Sequence, residues 1–182
     1  VSAQTGSGKT VAFGLAMASE LLTSEGTAVP GGQPLALVIA PTRELALQVS
    51  RELVWLYGTA GVRVATCVGG MDPSKERRAL RDGPQVVVGT PGRLRDHLER
   101  GALDLTALRA VVLDEADEML DMGFREDLEE ILDATPGTTR VAFAAQARLP
   151  GRSPVSSTSG TANSHVHPAS PGWNATKYFG FH

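Results

Sequence analysis

Ala3-Gln4-Thr5-Gly6-Ser7-Gly8-Lys9-Thr10 decides how the rest of this 182-residue chain is read. Apart from Ala3 in place of a first glycine, it has the G-x-x-x-x-G-K-[ST] spacing of a loop that wraps phosphate. Glycines lack a Cβ, so successive backbone N–H groups can curl round an anion's oxygens. A helical pattern over 9–22 follows at once and points its positive end at the same anion. Lys9 is then placed to reach the outer phosphates, and Thr10 to bind Mg2+. A Gly-rich turn with a chance lysine has the same local composition, so the decision rests on what lies downstream.

Downstream, the apolar run Ala110-Val111-Val112-Leu113 leads straight into Asp114-Glu115-Ala116-Asp117. A strand ending in two carboxylates suits phosphoryl transfer. Asp114 is the candidate for holding Mg2+ through water. Glu115 is the candidate for orienting and polarising an attacking water. A solvated acidic loop is the plain alternative, and the phosphate-loop pattern upstream weighs against it. In an open parallel sheet, ligands sit outside the carboxyl ends of the strands, where both motifs would fall.

The chain between and beyond these motifs alternates in type. Short apolar runs at 35–40, 62–68, 85–89, 109–113 and 141–144 read as buried strands. Helical patterns at 9–22, 44–57, 74–81, 92–99 and 124–132 separate them. In the second of these, Leu45, Val49, Leu53 and Leu56 share one helix face. Thr90-Pro91 places a capping residue before a proline at the first helical position. The predicted fold is α/β, a parallel sheet covered by helices on both faces. Residues 23–34 read as a surface loop. After about residue 147 the alternation stops. Residues 148–170 are dense in Ser, Pro, Gly, Thr and His, with no apolar period, and are expected to be disordered. The expected division is a domain over 1–146 and a disordered or aberrant tail over 147–182.

A net charge of −3 excludes nucleic-acid binding by bulk positive charge, so any such site must be local. The one cysteine, Cys67, can form no disulfide within the chain, and a cytoplasmic setting is expected. Its apolar surroundings predict a small buried side chain. No stretch reaches the ~18 apolar residues of a membrane span. Ser74-Lys75-Glu76-Arg77-Arg78 reads as a solvated helix face. His165 and His167 lack metal-ligand partners nearby, and Asn174-Ala175-Thr176 carries no weight in a cytoplasmic chain.

Taken in order, the motifs resemble the first motor domain of the DEAD-box RNA helicases. The phosphate loop and Asp114-Glu115-Ala116-Asp117 are joined by Pro41-Thr42-Arg43-Glu44-Leu45-Ala46, Gly69-Gly70, Thr90-Pro91-Gly92-Arg93-Leu94 and Met122-Gly123-Phe124. The resemblance covers about the first 143 residues. It implies a RecA-like domain that takes ATP with Mg2+ and hydrolyses ATP to remodel or unwind RNA. It implies that Thr42, Arg43, Gly70, Thr90, Gly92 and Arg93 touch the RNA backbone. Asp117 then couples hydrolysis to strand separation. As helix caps or surface arginines, these residues would have no such role.

Three departures from the family pattern bear on mechanism. The resemblance implies an upstream segment with an adenine-recognising glutamine and a strand entering the phosphate loop; both are expected to be lost here, since only Val1 and Ser2 precede Ala3. Loss of such a strand is expected to cost several kcal/mol, on the order of a whole domain's stability. Ala144-Ala145-Gln146 stands where the family has Ser-Ala-Thr, so both hydroxyls are gone. A second RecA-like domain, which the resemblance implies and which would supply arginines in trans, is expected to be absent from these 182 residues. Three readings therefore stand at this point: an ATP-dependent RNA helicase half-motor, a nucleotide- or RNA-binding fragment without turnover, and a non-functional truncated product.

Overall fold

The computed structural model describes residues 8–144 and the backbone of His167–Pro168. In chain order the elements are α1 (Lys9–Leu21), β1 (Ala36–Ile39), α2 (Arg43–Tyr57), β2 (Val64–Cys67), α3 (Pro73–Arg81) and β3 (Val86–Gly89). There follow α4 (Pro91–Glu99), β4 (Ala110–Asp114), α5 (Ala116–Asp121), α6 (Arg125–Asp133), β5 (Arg140–Ala144) and β6 (His167–Pro168). The strands form one sheet in the order β2-β3-β1-β4-β5-β6. β1 to β5 are all parallel, and β6 pairs antiparallel with β5 over two residues.

Apolar continuity explains the strand positions. Every residue of β1, β3 and β4 is buried, as both-sided coverage by helices requires. β2, at one edge, alternates between half-buried and buried. β5 is more open, with Phe143 41% exposed. Side chains alternate across the sheet with the period of two. Ala36, Val38, Val86, Val88 and Val112 face α1 and α2, where Phe13, Met17, Val49 and Leu53 cover them. Leu37, Ile39, Val87, Val111 and Leu113 face the other way, under Leu80 of α3, Leu94 of α4 and Leu128, Ile131 and Leu132 of α6. This is the predicted α/β fold with helices on both faces.

The element predictions hold to within about two residues at each end. One helix was not read: α5, six residues immediately after the acidic motif, anchored by the fully buried Met119. The cap at Thr42 forms, its hydroxyl accepting from Leu45 N–H at 3.3 Å. Thr90 does take the N-cap position before Pro91, but its hydroxyl makes no capping bond. Cys67 is fully buried, as expected. Residues 23–33 are largely exposed, as the loop reading requires.

The charge run on α3 departs from prediction. Ser74, Lys75 and Arg78 are exposed, but Glu76 is 3% exposed. Glu76 and Leu80 lie four apart on the one stripe that α3 turns inward. Of the segment 148–170, only His167–Pro168 is described, as the short β6 pairing; the expected disorder of the rest lies outside the described residues. So do Asn174-Ala175-Thr176 and the metal reading of His165 and His167. Among the described residues, no helix is long and apolar enough to cross a membrane.

Candidate functional site

Strand register decides where the chemistry gathers. Ile39, Gly89 and Leu113 lie side by side at the carboxyl ends of β1, β3 and β4, with Cys67 beside Gly89. Pro41-Thr42-Arg43, Gly69-Gly70, Thr90-Pro91-Gly92-Arg93 and Asp114-Glu115 therefore leave the sheet along one edge.

At one end of that edge stands the start of α1. Gly8 is its N-cap and makes no side-chain cap bond, and the first turn holds no acidic residue. The free N–H groups and the positive helix end are thus uncompensated by the helix itself. Ala3, Gln4, Thr5, Gly6 and Ser7 lie outside the described residues. Gly8, Lys9 and Thr10 are described, and the Thr10 side chain is buried.

Lys9 crosses to the acidic motif. Its Nζ lies 3.2 Å from Asp114 Oδ1 and 2.5 Å from Glu115 Oε1. Asp114 is almost wholly buried, while the other two side chains are about one-fifth exposed. Burial works to lower the Lys9 pKa, but its bonds to Glu115 and Asp114 outweigh that and hold the ammonium above its ordinary range. Burial pushes the Asp114 carboxyl up, and Lys9 only partly opposes it. A simple ion pair would lower the acid; here desolvation wins because Asp114 is much deeper than its partner.

Glu115 is the only non-glycine residue with positive φ among the described residues, at φ 55 and ψ 51. An L-residue there is strained by roughly 1–2 kcal/mol. Two contacts hold it: its N–H donates to the Ala144 carbonyl at 3.0 Å, and its carboxylate takes Lys9. The left-handed turn ends β4 and starts α5 at once, which swings Glu115 back over the strand end. Asp117 follows in the first turn of α5, exposed.

These features fit a nucleotide with its cation. The buried Asp114 carboxylate and the Thr10 hydroxyl are hard oxygen donors, the type Mg2+ takes. Lys9 already supplies positive charge to both carboxylates.

The second group of predicted residues lies along the same edge. Arg43 Nη1 donates to the Gly69 carbonyl at 3.2 Å. Gly70 has φ +79, a conformation that calls for glycine, and a Cβ there would push aside Arg43 Nη1, which lies 2.5 Å from its place. Arg93 is not the surface arginine that isolated reading suggests, being 16% exposed. It donates from Nε to the Val68 carbonyl at 3.4 Å and from Nη2 to the Met71 carbonyl at 3.0 Å. Its Nε also lies 3.3 Å from Glu76 Oε2. Gly92 is exposed with open space around a would-be Cβ, and Thr90 is half-buried with its hydroxyl outside the cap.

Sequence reasoning missed Glu76 and His97, which sit directly behind Arg93. The one available signal was the four-residue spacing of Glu76 and Leu80.

A parallel sheet between two helix layers, with a lysine–carboxylate cluster and an arginine–glycine strip on one carboxyl edge, defines a RecA-like domain of the helicase type. A family model described as DEAD/DEAH box helicase matches residues 1–162. The chain belongs to that family. The match runs past residue 143, where the motif resemblance ends. The chain is 52% identical over 134 residues to the DEAD-box ATP-dependent RNA helicase CshA of Geobacillus kaustophilus, covering 74% of this chain and 27% of that protein. It is 51% identical over 134 residues to the ATP-dependent RNA helicase CshA of Listeria monocytogenes, covering 74% and 25%. Among solved structures it resembles a DEAD box protein from the hyperthermophile Methanococcus jannaschii, with TM-score 0.68 and 38% identity, over 81% of this chain and 38% of that one. The chain thus spans about a quarter of the length of these curated relatives.

Proposed function

We propose that this chain is the ATP- and RNA-binding half of an RNA helicase motor. One observation carries the reading: Lys9, Asp114 and Glu115 meet at a single point across more than a hundred residues of chain. On this reading residues 3–10 cradle the phosphates and Lys9 leaves the carboxylates to reach the outer ones. Thr10 and Asp114 hold Mg2+, which supplies neutralising charge to the phosphate oxygens when bound. Glu115, fixed by its left-handed turn, orients the attacking water and takes its proton.

Thr42, Arg43, Gly70, Thr90, Gly92 and Arg93 take the RNA backbone. N–H groups and hydroxyls at the starts of α2 and α4 suit phosphate oxygens, and two arginines add charge. Such contacts carry no base preference. Asp117 links the two sites. The functional unit runs to about residue 146, acts in the cytoplasm, and works against a second RecA-like domain that supplies arginines.

The test is a thermal melt with and without Mg2+–ADP, beside Lys9→Ala. Saturating nucleotide at about a hundred times Kd is expected to add ~2.7 kcal/mol. No shift in the wild-type chain, or an equal shift in Lys9→Ala, would refute the nucleotide site.

Ala144 favours a second reading, binding without turnover. It pairs with Asp114 in the sheet and accepts from Glu115 N–H, yet offers no hydroxyl toward the acidic motif. RNA-stimulated phosphate release separates the two: its presence rules out the second reading, and its absence from this chain joined to a second RecA-like domain, with both ligands bound, rules out the first.

A further inference from the structure

Behind the arginine–glycine strip lies a buried polar cluster that the nucleotide chemistry does not use. Glu76 and His97 are 3% and 0% exposed. Glu76 uses both carboxylate oxygens. Oε1 accepts from Val68 N–H at 2.9 Å, and Oε2 lies 2.6 Å from His97 Nε2 and 3.3 Å from Arg93 Nε. His97 Nδ1 has no hydrogen-bond partner among the described residues. A buried carboxylate is tolerated only with hydrogen-bonded partners, and Glu76 has three.

A metal ion is one candidate, since Cys67, Glu76 and His97 offer donor atoms within 4.8 Å of one another. Two facts weigh against it. The Arg93 guanidinium already supplies the positive charge beside Glu76. Glu76 and His97 also use their facing atoms on each other, Oε2 lying 2.6 Å from Nε2.

The bonds instead converge on one loop. Val68 gives its N–H to Glu76 and its carbonyl to Arg93. The Met71 carbonyl also takes Arg93, and the Gly69 carbonyl takes Arg43. The Gly69–Gly70 turn is thus clasped on both sides, and Glu76 is the group that touches both the turn and Arg93. His97, one helical turn beyond Arg93 on α4, fixes the Glu76 carboxylate from behind.

We infer that Glu76 and His97 are positioning residues for the RNA face, holding Arg93 and the Gly69–Gly70 turn in the shape that meets the RNA backbone. This rests on the reading of that edge as RNA-binding. Glu76 acts through two acceptor oxygens, one on Val68 N–H and one facing His97 and Arg93, so an amide at the same place replaces only one of them and an apolar side chain replaces neither. The effect falls on RNA affinity and spares the nucleotide, because none of these bonds reaches Lys9, Asp114 or Glu115.

The test uses the whole 182-residue chain, a short fluorescein-labelled single-stranded RNA read by anisotropy, and a fluorescent ADP with Mg2+. Arg93→Ala sets the scale, an RNA affinity loss of about tenfold, the order of one ordered contact. Glu76→Met, which fills the volume without an acceptor, is expected to lose RNA by a similar factor and to keep ADP. Glu76→Gln, which keeps one acceptor, is expected to bind RNA between wild type and Glu76→Met, a loss smaller than the tenfold that ~1.4 kcal/mol produces, and to keep ADP. A Glu76→Met chain that melts cooperatively and binds RNA like wild type overturns the inference. So does a Glu76→Met chain that loses ADP together with RNA or has no cooperative melt, since Glu76 would then hold the fold and not the RNA face. A Glu76→Gln chain that binds RNA no better than Glu76→Met overturns the acceptor role. A wild-type chain that takes ADP and no RNA overturns the RNA reading itself and this inference with it.

Discussion

Removing the Lys9 ammonium should destabilise the nucleotide-free domain, and the size of the effect follows from burial. In Lys9→Ala the Asp114 carboxylate, 3% exposed, loses its cation and keeps Glu115 as a like-charged neighbour. Stripping one partner from a buried pair costs about 3–5 kcal/mol. Lys9 is 20% exposed, so water reaches the gap and about 2–3 kcal/mol remains. For a chain of this size that is a fall of roughly 4–12 °C in Tm, at about 2–4 °C per kcal/mol. Replacing Asp114 as well removes the stranded charge, so Lys9→Ala with Asp114→Asn should recover most of the loss. Thermal melts of the four chains at neutral pH, without nucleotide, give the coupling directly. A Tm for Lys9→Ala within about 1 °C of wild type, or strictly additive effects, would show that Lys9 and Asp114 do not share a buried charge.

Three further outcomes follow from the same geometry. Asp114→Asn alone should raise stability at neutral pH while abolishing the Mg2+–ADP shift. The folded-state pKa of Asp114 lies above its ordinary value of 3.8, so the native state binds that proton more tightly than the unfolded one. The group's contribution to wild-type stability is therefore present below the ordinary value and lost as pH rises through the raised one; the Asn chain should gain above that window, and melts of equal Tm at neutral pH would contradict it. Gly89→Ala should cost about 1–3 kcal/mol, because the new Cβ would sit 2.5 Å from the Cys67 carbonyl, which cannot yield without parting β2 from β3; a denaturant midpoint equal to wild type would count against that packing. Gly70→Ala should weaken RNA binding several-fold at a stability cost of about 1–2 kcal/mol from its left-handed backbone. Gly69→Ala, with open space at its Cβ, should leave stability unchanged, and equal melts for the two would remove the conformational argument.

The sequence by itself determined the strands, most of the helices and the motifs that gather at the carboxyl edge of the sheet. Buried strands announce themselves as apolar runs, and Val86-Val87-Val88 or Ala110-Val111-Val112-Leu113 needs no neighbour to be read. The phosphate-loop pattern and the acidic strand end are legible because each is a pattern of a few consecutive residues. What the local pattern does not contain is how distant segments meet. The order β2-β3-β1-β4-β5 was settled by tertiary pairing, and with it the meeting of Lys9 with Asp114 and Glu115.

The same limit explains the particular misses. α5 is a single short stretch after a left-handed residue, too brief for a helical period to show, and Met119 fixes it by burial in the sheet's far face. Glu76 looks solvated inside Ser74-Lys75-Glu76-Arg77-Arg78, since charge alone says surface. Only the folded structure brings a backbone N–H, a histidine and an arginine to it from the residue after β2 and from α4, and a buried carboxylate becomes affordable only with such partners. Arg93 follows the same rule: its sequence motif marks it as functional, but the carbonyls that aim it come from a turn more than twenty residues away.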